Sequence, residues 1–182
     1  MTTPGNAYLQ TAIKRLKYYK DLGDKTFVQL SDADFLFQPN PASNSIAVIV
    51  QHMNGNMLSR WTNFLAEDGE KEWRDRDGEF NTAPRPKQDL IQLWEEGWNC
   101  MFDALARLSE EDLMKTVYIR REGLLAIDAI NRQMAHYPYH VGQIVYIGRL
   151  IKDQQWQSLS IPVGQSRQYN QSKGMKDPAK NY

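Results

Sequence analysis

Four stretches of this chain place apolar side chains at intervals of three and four residues, which commits them to amphipathic helices. Leu9, Ile13, Leu16, Leu22 and Phe27 mark the first, from about Ala7 to Leu30. The second runs from near Ser45 to about Glu67, with Ile46, Ile49, Val50, Met53, Met57, Trp61, Phe64 and Leu65 as its stripe. The third, about Lys87 to Leu108, carries Leu90, Ile91, Trp94, Trp98, Met101, Phe102 and Leu105. The fourth spans about Ala126 to Lys152. Each stripe needs another to cover it, so the expected fold is all-α, a four-helix bundle around one core.

The connections set how the helices are ordered. "SDADFLFQPNPASNS" ends the first helix with two prolines and a cluster of capping residues. Residues 68–86, "DGEKEWRDRDGEFNTAPRP", could reach about 60 Å when extended, enough to return along a helix of about 30 Å. A parallel neighbour needs a crossover of that length, so long crossover connections are expected. The segment 109–125 holds a β-like "TVYI" and a "REG" turn, which suggests a small hairpin before the last helix. Residues 1–169 are read as one domain, and the polar stretch 170–182 as a flexible tail.

Composition removes several classes of function. Lysine plus arginine number 22 and aspartate plus glutamate 22, so no charge excess directs the chain to nucleic acid or an acidic membrane. The start, "MTTPGNAYLQ", has no apolar run of a signal peptide, and the longest aliphatic run, "IAVIV", is too short to span a bilayer. A single cysteine, Cys100, excludes an internal disulfide and suits a reducing compartment. A cytoplasmic protein is expected.

The chemistry is carried by three histidines: His52, His136 and His140. His136 and His140, in "HYPYH", are four apart and share a helical face, so both can reach one ion. Helix-borne zinc peptidases use the same spacing, but no glutamate follows the first histidine here, which argues against a peptidase. His52 comes from another helix. Three neutral imidazoles leave coordination positions open, as catalytic rather than structural sites do. Such nitrogens suit zinc, nickel, iron or copper; zinc or nickel is expected first, with iron or manganese as alternatives. The competing interpretation is three surface or hydrogen-bonded histidines without an ion.

Neighbouring residues bear on that choice. Gln133, His136, His140 and Gln143 form one polar line on the fourth helix, and His52, Asn56 and Arg60 another on the second. Polar lines beside a core face need partners, since each unpaired buried group costs about 1–3 kcal/mol. Asn56, Arg60, Gln133 and Gln143 are therefore candidates to support the metal or bind substrate, against the alternative of a solvated flank. Pro138 costs about 3 kcal/mol in a helix interior and removes the bond to the Met134 carbonyl. A helix end there is unattractive, because "VGQIVYIGRLI" continues the period.

Three stretches, "SIAVIVQHMNGNMLSRWTNFL", "DGEKEWRDRDGEF" and "AINRQMAHYPYHVGQIVYIGRL", resemble the DinB/YfiT-like superfamily of metalloenzymes, and an uncharacterised bacterial subfamily within it. The resemblance covers nearly the whole chain, as far as "LSIPVGQS". It implies a four-helix bundle with one metal held by three histidines, and His52, His136 and His140 fall on those positions. It further implies a metal-dependent S-transferase of low-molecular-weight thiols such as bacillithiol, mycothiol or glutathione, in detoxification or stress response. Its partners would be a small thiol and an electrophilic substrate. Arg60 could bind a substrate carboxylate, although an ion pair with a nearby acid is the commoner role. The alternatives are a hydrolase using metal-bound hydroxide and a non-catalytic metal-binding stress protein.

Other conspicuous residues read more plainly. Cys100, in "WNCMFDAL", and Trp61, Trp94 and Trp98 at helical spacing are expected in the core. "RDRDGEF" lacks the twelve-residue pattern of a calcium loop and reads as a solvated charged loop, from which Glu79 could reach the metal mouth as a base. Trp73, Phe80 and Trp156 fall outside the helical stripes, which, with dimers common among the resembled proteins, suggests a homodimer.

Overall fold

The computed structural model describes residues 2–171. Among them it is mostly helical, with six helices and one two-stranded hairpin. The long helices are α1 (Pro4–Val28), α3 (Ile46–Trp61), α4 (Lys87–Ala106) and α5 (Ala126–Lys152); α2 (Asp32–Leu36) and α6 (Ser166–Gln171) are short. Asn170 and Gln171, expected in the tail, close α6, and the rest of the expected flexible tail lies outside the described residues. Among those described, no helix is long and apolar enough to cross a membrane.

Local chemistry explains where the helices begin and end. α1 starts at Pro4, three residues before the expected Ala7, because Thr3 caps the Asn6 N–H and proline suits a first-turn position. The stretch expected only to break that helix contains α2, closed by a reciprocal capping box between Ser31 and Asp34. α3 is capped by Ser45 and stops at Trp61 rather than near Glu67. Asn63 turns left-handed there, at φ 52°, which asparagine tolerates better than most residues. Phe64 then folds back on Trp61, with ring centroids 4.8 Å apart, so it joins the core without being helical.

The main contacts pair α3 with α4 and α1 with α5, and weaker contacts join the pairs. Gly97 permits the first pairing: a Cβ there would lie 3.2 Å from the Asn54 Cα and 3.1 Å from the Met57 sulfur. Trp61, Trp94 and Trp98 are all buried, as expected of core residues. Trp156, which lies outside the helical stripes, packs partly buried where a Cβ on Gly148 would be 3.3 Å from its ring.

Strands β1 (Thr116–Ile119) and β2 (Glu122–Leu125) pair antiparallel, Thr116 opposite Leu125 and Ile119 opposite Glu122. The turn is made by Arg120 and Arg121, both left-handed at φ 55° and 65°. Such turns match strand twist but favour Asn and Gly. Asp68 offsets the strain by accepting both turn N–H groups, at 2.8 and 2.7 Å. The start of the long 68–86 segment is thereby fastened to the hairpin tip, and its single 3₁₀ turn, Gly78–Phe80, packs on α3.

Candidate metal centre

α3 and α5 bring the three histidines together. Each offers a ring nitrogen, and the three nitrogens lie within 4.8 Å of one another. His52 has its ring centroid 5.7 Å from that of His136 and 4.9 Å from that of His140. His136 and His140, one turn apart on α5, face each other with their Nε2 atoms 3.0 Å apart. Metal–nitrogen bonds of about 2.0–2.1 Å at tetrahedral angles put ligand nitrogens about 3.3 Å apart, so a small adjustment closes all three on one ion. α5 runs unbroken through Pro138, which leaves the pair on one helix.

The other nitrogen of each ring is already engaged. Nδ1 of His52 is 2.9 Å from the Glu79 carboxylate, Nδ1 of His136 is 3.2 Å from Oε1 of Gln133, and Nδ1 of His140 is 2.9 Å from Oε1 of Gln143. A carboxylate or amide oxygen only accepts, so the proton of each neutral ring belongs on Nδ1 and the lone pair on Nε2. Two facing lone pairs at 3.0 Å repel. A cation between them removes that repulsion, and the donor set fits a divalent ion.

Electrostatics keep the two α5 rings neutral. Burial pulls His136 down to about 3, with the charges of His140, His52, Arg60 and Arg132 adding to the effect. His140 is lowered as well, mainly by burial, against a bond to Gln143 that favours its charged form. A neutral imidazole is the form that binds metal.

Glu79 corrects the expectation drawn for its loop. It does reach the histidines, but it is buried rather than solvated, and its carboxylate is grasped by Arg74 through Nε at 2.7 Å and Nη2 at 2.9 Å, which leaves it no freedom to act as a base. Burial pushes its carboxyl up, but the hydrogen bonds of His52 and Arg74 prevail and hold it below the usual range. The site therefore contains an arginine–carboxylate–histidine chain, an arrangement that orients metal-binding imidazoles. Gly55 makes room for it: a Cβ there would collide with the Glu79 carboxylate. The sequence signal was present only as a charged loop, and nothing in its spacing linked Glu79 to His52.

The remaining candidates divide by role. Gln133 and Gln143 each place Oε1 against Nδ1 of an α5 histidine. Asn56 is buried and accepts from the Tyr137 hydroxyl at 3.0 Å, which in turn accepts from the Trp61 indole at 3.0 Å. Arg60 takes the ion-pair role: it bonds Glu70 at 3.1 Å and the Gly69 carbonyl. Cys100 is half-buried on α4, 3.7 Å from the Thr62 hydroxyl, and burial pushes its thiol up, away from a reactive thiolate. None of these brings Cys100 to the histidines.

A cleft of about 230 Å³ opens beside the centre, lined by His52, Asn56, Gln133, His136 and five arginines. Arg60 belongs to α3, Arg132 to α5, Arg74 and Arg76 to the long connection and Arg120 to the hairpin tip. Only Arg60 had been singled out from the sequence. The other four come from three segments, the long connection, the hairpin tip and α5, and no local pattern pointed their side chains to one place.

No curated protein matches the chain. A family model described as "Protein of unknown function (DUF1572)" matches residues 3–165, a span that includes all three histidines and every arginine of the cleft. The chain belongs to the DUF1572 family.

Proposed function

We propose that His52, His136 and His140 hold one divalent ion, zinc or nickel before iron or manganese, in a four-helix bundle of the DinB/YfiT kind, and that the protein transfers a low-molecular-weight thiol to an electrophile. One observation carries the metal: all three Nδ1 atoms are occupied by hydrogen-bond acceptors, which leaves the other ring nitrogens for a shared ligand. When bound, the ion supplies Lewis acidity, which turns a thiol of pKa about 8.5 into a thiolate at neutral pH. Glu79, Gln133 and Gln143 fix the ring orientations. Three protein ligands leave a position for a substrate sulfur, and the adjoining cleft offers space for the rest of the molecule.

Hydrolysis fits less well, because among the described residues no carboxylate lines the cleft and Glu79 is spent on Arg74 and His52. The test is metal analysis of protein purified without a histidine tag, then cobalt substitution and titration with several thiols. A thiolate-to-cobalt band that saturates supports the transferase. An unchanged cobalt spectrum with every thiol overturns it.

A further inference from the structure

The cleft beside the histidines has an unusual charge. Arg60, Arg74, Arg76, Arg120 and Arg132 all line it, and among the described residues no aspartate or glutamate does. Two carboxylates nearby are already shared: Glu70 takes Arg60 and Arg120 at 3.1 and 3.0 Å, and Glu79 takes Arg74 at 2.7 Å. Among the described residues Arg132 has no ion pair, and Arg76 has only the Phe80 ring, 5.7 Å from its guanidinium carbon. Positive charge thus exceeds what the protein itself neutralises.

A second observation is independent of that count. Arg74 has a side chain 2% exposed, yet its Nη1 has no hydrogen-bond partner. Its nearest carboxylate oxygen, on Glu70, is 3.9 Å away, beyond hydrogen-bond reach. A buried, charged donor without an acceptor is costlier than a neutral one. A ligand oxygen in the cleft would satisfy it.

We infer that this cleft recognises the carboxylates of a small anionic substrate, with Arg76 and Arg132 as the free guanidiniums and the Arg74 Nη1 as a buried donor. Guanidinium forks match planar carboxylates two bonds at a time. The volume of about 230 Å³, below the roughly 300–1,000 Å³ of drug-sized pockets, gives room for a small molecule. Only the placement of a thiol at the ion rests on the proposed function; the anion site stands on the arginines. For a transferase, it would make the thiol substrate a carboxylate-bearing one.

The test is calorimetric titration of the full-length, metal-free protein with succinate at low ionic strength. Saturable binding is expected, weakened at least tenfold in Arg132→Gln and further in Arg76→Gln/Arg132→Gln, and weakened by added salt in the wild type. Both residues are exposed, and circular dichroism confirms that the variants fold. Absence of saturable binding, or equal binding by wild type and double variant, overturns the inference. So does tighter binding of inorganic phosphate than of succinate, or displacement of succinate by a submicromolar oligonucleotide. A separate arm compares mercaptosuccinate with succinate on cobalt-loaded protein. A gain confined to the thiol supports both proposals, whereas equal binding of the two overturns the transferase and upholds the carboxylate site.

Discussion

The Glu79 carboxylate lies 2.9 Å from Nδ1 of His52, across 27 residues of sequence. That contact ties the charged 68–86 connection to the histidine-bearing face of α3, and Arg74 holds the carboxylate from the other side. Replacing Glu79 should therefore be felt twice. Glu79→Ala is expected to lower metal affinity about 10–100-fold, and to destabilise the fold by about 3–5 kcal/mol because Arg74 loses its buried partner. Glu79→Gln keeps an accepting oxygen and should cost less metal affinity. Competitive metal titration and thermal melts of both variants check this; equal metal affinity in all three proteins would remove Glu79 from the centre.

Gly55→Ala sets two effects against each other. Alanine is about 1 kcal/mol better than glycine in a helix interior, but its methyl would meet the Glu79 carboxylate. Metal affinity should fall in parallel with Glu79→Ala even where the melting temperature holds. A variant that binds metal like the wild type would show that Glu79 relocates without consequence.

His52→Ala, His136→Ala and His140→Ala should each lose most bound metal and keep the helical far-ultraviolet signal, since the core is built from separate apolar residues. Pro138→Ala returns a backbone donor within α5 and should raise thermal stability if the proline is merely tolerated. Weaker metal binding in that variant, despite equal or greater stability, would instead assign the proline to ligand placement. Elemental analysis at equal protein concentration distinguishes the cases.

The hairpin tip offers a prediction away from the histidines. Arg121→Gly should raise stability by roughly 1 kcal/mol, because glycine accepts the left-handed backbone without penalty. Asp68→Ala should lower it by removing both turn acceptors. Burial raises the Asp68 carboxyl, but backbone N–H groups of Glu70, Arg121 and Arg120 overcome this and hold it below 3.8. The unfolded chain then takes up the proton first, so this contribution is present above about pH 4 and lost on further acidification. Asp68→Ala should flatten the acid limb of the stability profile; an unaltered limb counts against the contact.

The helical stripes and the His136–His140 pair were legible in the sequence because both depend on the 3.6-residue period alone. Residues four apart on one helix are neighbours whatever the helix packs against. The tryptophans at helical spacing went to the core for the same local reason. What only the tertiary structure decided was which distant groups meet. His52 completes the trio because α3 lies beside α5, Glu79 reaches His52 because Gly55 has no side chain, and five arginines from four separate segments line one cleft. Two of those segments are loop and turn, whose backbone is set by long-range bonds such as Asp68 to the Arg120 and Arg121 amides. A polar side chain on such a segment has no periodicity to report its direction, so its partner exists only once the chain has folded.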